Sequence, residues 1–178
     1  MLTEKKRKKI LLLCAGGTIA CRPGQDGLCP ALDSHALLSH LDSMTPTYDI
    51  QPLDLFSLDS SNIQPEHWQT AARCIYEEIS AHAWDGIVLT HGTDTMAYTA
   101  SALSFMLEGL GKPVILTGSQ IPLCELRSDG RDNLINSMVI AAEGRVNEVC
   151  LYFAGKLLRG NRSTKVSSDE LMAFASPN

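Results

Sequence analysis

The sequence contains no CxxC pair and no cysteine–histidine spacing typical of a zinc site, although it has six cysteines and five histidines. Scattered cysteines of this kind favour a reducing compartment over a disulfide framework. The sequence also has no run of about 20 apolar residues, the length that a transmembrane helix requires. We therefore expect a cytoplasmic protein with no metal site and no membrane partner.

Concentrated positive charge is also missing, since the formal net charge is -5 with 15 Lys and Arg against 20 Asp and Glu. A nucleic-acid partner is not expected, because phosphate binding requires a basic face. The one basic run, Lys5 to Lys9, lies near the amino terminus and is interpreted as a frayed, solvated leader. With 178 residues, 44% of them hydrophobic, the chain 1–178 is expected to form a single globular domain.

Short apolar runs alternate with helical patterns along the chain. Strands are predicted at 10–14, 48–53, 86–90, 114–117 and 149–153, and helices at 65–82, 97–107 and 129–142. This alternation is typical of an α/β fold with a doubly wound, mostly parallel sheet and helices on both faces. The glycines and proline of segment 22–27 predict an irregular, mobile flap. The last five residues, 174–178, look like a loop at a domain boundary.

Two predicted strand ends carry a threonine in a glycine-rich turn. Thr18 follows Gly16-Gly17, and Thr93 follows His91-Gly92. A hydroxyl at such a position can attack a carbonyl carbon if a neighbouring group accepts its proton. Flanking glycines let backbone N–H groups stabilise the oxyanion, an effect of ~3 kcal/mol per donor. Each turn by itself also fits a purely structural role, such as capping a helix that begins near Asp94.

Two polar segments leave similar alternatives open. Lys165 closes a cationic segment, 159–165, which by composition is an exposed basic loop. A lysine held in a cleft beside a threonine and an aspartate can instead move protons. Asp59-Ser60-Ser61 precedes a predicted helix and is either an ordinary capping segment or a set of groups that binds the charged end of an amino acid.

Taken together, five motifs in this order resemble the bacterial type I, cytoplasmic L-asparaginases. The motifs are Gly16-Gly17-Thr18-Ile19, Asp59-Ser60-Ser61, His91-Gly92-Thr93-Asp94-Thr95-Met96, Thr117-Gly118-Ser119-Gln120 and Gly160-Asn161-Arg162-Ser163-Thr164-Lys165. The resemblance covers nearly the whole chain and implies the amino-terminal domain of that family. The family's second, carboxyl-terminal domain is expected to be absent from this sequence.

The resemblance also implies a role for each site residue. Thr18 is the implied nucleophile, and the implied proton-handling group consists of Thr93, Asp94 and Lys165. Substrate binding is assigned to Asp59, Ser60 and Ser61, and oxyanion stabilisation in part to Gly92 and Thr93. The implied reaction is hydrolysis of L-asparagine to L-aspartate and ammonia through an acyl-enzyme, without cofactor, in a homo-oligomer.

This sequence departs from the family pattern in the flap, where Leu28 occupies the place of a tyrosine that contacts the nucleophile. A leucine neither donates nor accepts a proton. The alternative hypothesis is therefore an amino-acid-binding domain with weak or no turnover, lacking the flap tyrosine and the second domain. A third hypothesis is a relative that hydrolyses another amide, such as glutamine or an amide attached to tRNA, although the negative charge argues against tRNA.

Overall fold

The computed structural model describes residues 7–24 and 27–177. The strands are β1 (Lys8–Gly16), β2 (Cys21–Gly24), β3 (Gly27–Pro30), β4 (Tyr48–Leu58), β5 (Gly86–Thr90), β6 (Val114–Thr117), β7 (Val149–Phe153), β8 (Lys156–Arg159), β9 (Thr164–Lys165) and β10 (Phe174–Ala175). The α-helices are α1 (Ser34–Ser39), α2 (Pro65–Ala81), α3 (Met96–Met106) and α4 (Gly130–Glu143). The predicted central strands and the three predicted helices are confirmed, with bounds that differ by a few residues.

The main sheet has six strands in the order β4-β1-β5-β6-β7-β8. Its first five strands are parallel, and β8 pairs antiparallel with β7. From β1 the chain moves outward to β4, and then crosses back over β1 to β5 and onward. The carboxyl ends of β4, β1, β5 and β6 therefore meet at one edge, where open sheets of this kind bind their ligands.

Alternate side chains of the buried strands pack against helices on opposite faces of the sheet. On one face, Leu13 and Leu89 pack with Ile75 of α2 and Leu103 of α3. The other face packs against α1 and α4, through residues such as Leu12, Val88, Leu37 and Met138. Because both faces are covered, the strands are apolar throughout and not alternating. The predicted doubly wound fold class is confirmed.

Two local expectations were wrong, one at the flap and one near the carboxyl end. The described parts of the flap form an antiparallel two-stranded sheet, β2 with β3, in which Pro23 pairs with Leu28. Such a small, isolated ribbon consists only of edge strands, which tolerate proline. Near the carboxyl end, Phe174–Ala175 is not a loop, because this segment pairs with Thr164–Lys165 and Phe174 is buried.

The basic run also differs from the expected leader where the structure describes it. Lys8 and Lys9 belong to β1, and Lys8 Nζ lies 2.8 Å from Asp85 Oδ1. Lys5 and Lys6 lie outside the described residues, as do Gln25 and Asp26 of the flap. None of the helices within the described ranges combines the length and the apolar character needed to cross a membrane.

Candidate active site

The glycine turns after β1 and β5 touch each other. Gly16 and Gly17 have positive φ angles of 85° and 82°, and Gly17 N donates a hydrogen bond to Leu58 O at 3.1 Å. A Cβ atom on Gly17 would overlap with the backbone of Gly92. Glycine is therefore required both by the backbone conformation and by the close approach of the two turns. This approach places the residue after Gly17, the half-buried Thr18, beside the turn that carries Thr93.

A cavity of about 360 Å³ lies at this edge of the sheet. Seven of the eight predicted site residues line it, namely Thr18, Asp59, Ser60, Gly92, Thr93, Asp94 and Lys165. The eighth, Ser61, is not among the lining residues, and its hydroxyl instead donates to Asp59 Oδ1 at 2.8 Å. The structure thus brings together residues from four separate segments of the chain.

Lys165 lies inside this cleft and not in an exposed loop. Its Nζ donates hydrogen bonds to Thr93 Oγ1 at 2.9 Å and to Asp94 Oδ1 at 2.8 Å. The Lys165 side chain is 17% exposed, whereas the Asp94 side chain is 62% exposed. The amine is thus enclosed between a hydroxyl and a carboxylate, an arrangement that can pass a proton to or from the hydroxyl oxygen.

The Asp59-Ser60-Ser61 segment caps a helical turn and also contributes two residues to the cavity lining. Asp59 caps a single 3₁₀ turn, Ser60–Asn62, and hydrogen bonds from the Ser61 backbone N–H and hydroxyl lower the pKa of its carboxyl. Ser60 is buried, and its Oγ accepts from Asp94 N at 3.2 Å. The Asp59 carboxylate therefore stays ionised at the rim of the cavity, where it can bind a cation such as an ammonium group.

A buried hydrogen-bond chain supports the Gly92–Thr93 turn from below. Trp68 Nε1 donates to Thr99 Oγ1 at 2.9 Å, and that hydroxyl lies 3.0 Å from His91 Nε2. His91 Nδ1 lies 2.8 Å from Gly92 O, which can only accept. Nδ1 therefore carries the proton and Nε2 accepts from Thr99. Burial lowers the pKa of His91 to about 4, so the ring is neutral near pH 7.

The flap hairpin brings Leu28 to the same cavity. Leu28 is 52% exposed and is one of the lining residues, together with Thr18. The leucine therefore lies at the position where the family resemblance leads us to expect a tyrosine near the nucleophile.

Comparison with known proteins shows to which family the chain belongs. Residues 9–178 match the family model described as Asparaginase, N-terminal. The chain is 48% identical to L-asparaginase 1 of Escherichia coli over 97% of this chain and 52% of that protein. The chain belongs to the asparaginase family. The resemblance inferred from the five motifs is confirmed.

Solved structures of asparaginases have the same fold. The L-asparaginase I of Vibrio cholerae superposes with a TM-score of 0.85 at 42% identity, covering 97% of this chain and 52% of that chain. A Campylobacter jejuni protein described as a probable cytoplasmic L-asparaginase superposes with a TM-score of 0.86 at 32% identity, over 96% and 52%. This asparaginase-family chain spans about half the length of the curated relatives it matches.

Sequence reasoning gave no role to several residues that line the asparaginase-family cavity, among them Cys21, Gln120 and Ser168. A signal for Gln120 was available, since it belongs to one of the five motifs and lies just beyond the end of strand β6, which ends at Thr117. Cys21 and Ser168 stand outside those motifs. Their positions depend on the flap hairpin and on the β9–β10 connection, which the sequence patterns did not predict.

Proposed function

We propose that this chain carries the active site of an L-asparaginase and that Thr18 is the nucleophile. One observation supports the proposal most strongly: Thr18 shares a single cavity with the hydrogen-bonded group Lys165–Thr93–Asp94. A threonine at a glycine turn is common, but its combination with a second hydroxyl and an enclosed amine matches the needs of amide hydrolysis.

The proposed reaction proceeds in two steps. The Thr18 hydroxyl oxygen attacks the side-chain amide carbon of asparagine, and its proton passes through neighbouring groups to the leaving nitrogen, which departs as ammonia. Water then attacks the resulting ester, and the acyl–oxygen bond breaks to release L-aspartate and restore the threonine hydroxyl. Lys165 and Asp94 would orient the Thr93 hydroxyl for the proton transfers. Backbone N–H groups of the Gly92–Thr93 turn would stabilise the oxyanion.

The rim of the cavity suits the charged end of an amino acid. The Asp59 carboxylate, whose pKa is lowered by its hydrogen bonds to Ser61, would bind the substrate α-ammonium group. Ser60 lies against the Asp94 backbone at 3.2 Å and would help to place the α-carboxylate. L-Asparagine is the proposed substrate. By extension from relatives, we also propose a cytoplasmic location and a homo-oligomer.

The exposed Leu28 favours one alternative, an amino-acid-binding domain with little turnover. In that alternative the Asp59 rim still binds asparagine or aspartate, while Thr18 lacks a hydroxyl partner from the flap. The two functions differ in turnover and not in binding, so both must be measured on the same protein.

The test is ammonia release from L-asparagine by the purified chain, with L-glutamine as the competing substrate. Thr18→Ala is expected to abolish release, and Thr93→Val is expected to reduce it by at least about 100-fold, the usual contribution of a proton-transfer group. Thr70→Ala is the matched control, because Thr70 is exposed on α2 and its hydroxyl donates to Glu66 O within the same helix.

Binding of L-aspartate, measured by calorimetry, completes the test. Ammonia release that persists in Thr18→Ala would contradict the assigned nucleophile. A folded wild-type chain that binds aspartate but releases no ammonia would support the binding-domain alternative instead.

A further inference from the structure

Gln120 connects two parts of the cavity that are far apart in sequence. The residue directly follows the Thr117-Gly118-Ser119 strand end, and its backbone N donates to both carboxylate oxygens of Asp129 at 3.1 Å. Asp129 also accepts from Ile121 N at 3.0 Å and from Asn133 Nδ2 at 3.2 Å. The main chain at Gln120 is therefore fixed to the start of α4, while its side chain extends into the cavity.

The orientation of the Gln120 amide follows from its partners. Its Nε2 lies 3.0 Å from Ser168 O and 3.1 Å from Glu170 O. Backbone carbonyls only accept hydrogen bonds, so the NH₂ group must face them. The amide oxygen consequently faces Thr93 Oγ1, at 3.1 Å.

This orientation determines where the Thr93 hydroxyl proton lies. The Lys165 ammonium group has no lone pair and must donate to Thr93 Oγ1, so the hydroxyl proton is free to donate to Gln120 Oε1. The Gln120 amide thus holds the Thr93 proton away from Lys165 and leaves an oxygen lone pair facing the amine. A flipped amide would present N–H to Thr93, and the hydroxyl proton would then lose its acceptor.

The two carbonyls belong to loop 166–173, which joins β9 to β10. The residues of this loop are largely exposed, but Ser168 lines the cavity and Lys165 directly precedes the loop. Val166 N and Ser167 N bond to Ala173 O inside the loop. Within residues 7–24 and 27–177, the side-chain hydrogen bonds that the loop receives from the rest of the chain come from Gln120.

We propose that Gln120 is a positioning residue that couples the Thr93 hydroxyl to loop 166–173. With the loop in place, its carbonyls hold the amide in the orientation that directs the Thr93 proton. Displacement of the loop releases the amide and, with it, the ordered contact between Thr93 and Lys165. The coupling rests on the proposed function for its effect on catalysis, but the contacts themselves are testable without turnover.

Two substitutions separate the two ends of the Gln120 side chain. Gln120→Glu keeps an acceptor for Thr93 but places an anionic oxygen against the two loop carbonyls. Gln120→Met removes both contacts at nearly the same length. Gln69→Glu is the matched control, because it makes the same change at an exposed position of α2.

The first measurement is backbone hydrogen exchange in loop 166–173. Exchange is expected to become about ten-fold faster in both Gln120 variants, the effect of losing the loop's anchoring hydrogen bonds, and to remain unchanged in Gln69→Glu. Unchanged exchange in the Gln120 variants would overturn the loop half of the proposal.

The second measurement is a double-mutant cycle between Gln120→Met and Thr93→Val, read from unfolding in urea. The two effects are expected to be non-additive by about five-fold in the unfolding equilibrium constant, as for residues in direct contact. Additive effects would overturn the contact between Gln120 and Thr93. Both measurements give a result even if the wild-type chain releases no ammonia. The absence of ammonia release would contradict the proposed function but would not contradict the coupling.

Where ammonia is released, the kinetic signature is also specific. The kcat value is expected to fall about ten-fold in both Gln120 variants, with a smaller change in KM. Gln120→Met loses the acceptor of the Thr93 proton, and Gln120→Glu loses the loop contacts that orient that acceptor. The pH profile of Gln120→Glu should differ from that of Gln120→Met, since the carboxylate adds a titratable group beside Thr93. Identical pH profiles for Gln120→Glu and Gln120→Met, with kcat unchanged, would contradict the positioning role.

Discussion

The two ends of the cavity are built in different ways. At one end, side chains from distant segments form a hydrogen-bonded group, in which Lys165 Nζ reaches Thr93 and Asp94 at 2.9 and 2.8 Å. At the other end, Thr18 is positioned mainly by backbone glycines and lies beside a short hairpin whose Leu28 is 52% exposed. The Thr93 end is therefore ordered by side-chain contacts, whereas the Thr18 end is ordered by backbone geometry.

This difference separates the two contributions to the proposed reaction. Side-chain substitutions at the Thr93 end should disturb proton transfer while leaving the fold intact. Backbone substitutions at the Thr18 end should disturb the fold and the site together. The next four predictions test this contrast, beginning with the largest expected effect.

Lys165→Met removes the amine while keeping the length of the side chain. We expect kcat for ammonia release to fall about 1,000-fold, within the usual range for loss of a proton-transfer group, with little change in the unfolding midpoint. Lys156→Met, at an exposed position on β8, is the control and should keep wild-type kinetics. Loss of activity accompanied by loss of folding would show that the Thr93 end is structural.

Gly17→Ala tests the backbone at the Thr18 end. Gly17 has a φ of +82°, and the new Cβ would overlap with the Gly92 backbone. We expect the free energy of unfolding to fall by about 3 kcal/mol. Gly109→Ala has a similar φ of +76° with open space around the Cβ, and should cost only about 1 kcal/mol. If urea unfolding shows the same loss of stability in Gly17→Ala and Gly109→Ala, the close contact between the two glycine turns does not contribute to stability.

The buried His91 predicts a pH dependence of stability. Its pKa is lowered to about 4 by burial, below the unfolded value near 6.5, so its contribution is complete above pH 6.5 and is lost as the pH falls toward 4. Between pH 7 and pH 5 the loss is about 2 kcal/mol. Urea unfolding of wild type and His91→Gln at both pH values measures it, and the same pH dependence in both proteins would contradict the neutral, buried ring.

Leu28→Tyr should produce the smallest effect, an increase in kcat of a few-fold. The substitution supplies a hydroxyl beside Thr18, whose nucleophilicity depends on a neighbouring proton acceptor. Leu53→Tyr, also exposed but on β4, is the control. A decrease in kcat would indicate that the flap of this protein has a different arrangement around the nucleophile.

The sequence patterns predicted the sheet because its strands are short apolar runs closed by turns, as in 86–90. They did not predict the flap hairpin, because proline and glycine residues such as Pro23 usually indicate irregular structure. An isolated two-stranded ribbon tolerates these residues. The pairing of Phe174–Ala175 with Thr164–Lys165 was missed because a two-residue strand has no periodicity of its own.

For the site, the sequence supplied candidate residues but not their contacts. Lys165 and Thr93 are 72 residues apart, and only the folded chain decides between an exposed loop and an enclosed amine. Gln120 was visible as part of a motif, yet its role depends on the carbonyls of Ser168 and Glu170, which carry no side-chain signal. The catalytic and binding roles given to the lining residues stay predictions.

The most direct test of the central claim is to trap the acyl-enzyme. The protein is mixed with L-asparagine, quenched in acid within one turnover, and mapped by peptide mass spectrometry. We expect a β-aspartyl ester on the hydroxyl of Thr18, absent from Thr18→Ala and accumulating in Lys165→Met if deacylation is slowed. An ester on Thr93, or rapid ammonia release without any ester on Thr18, would contradict the assignment of the two ends of the cavity.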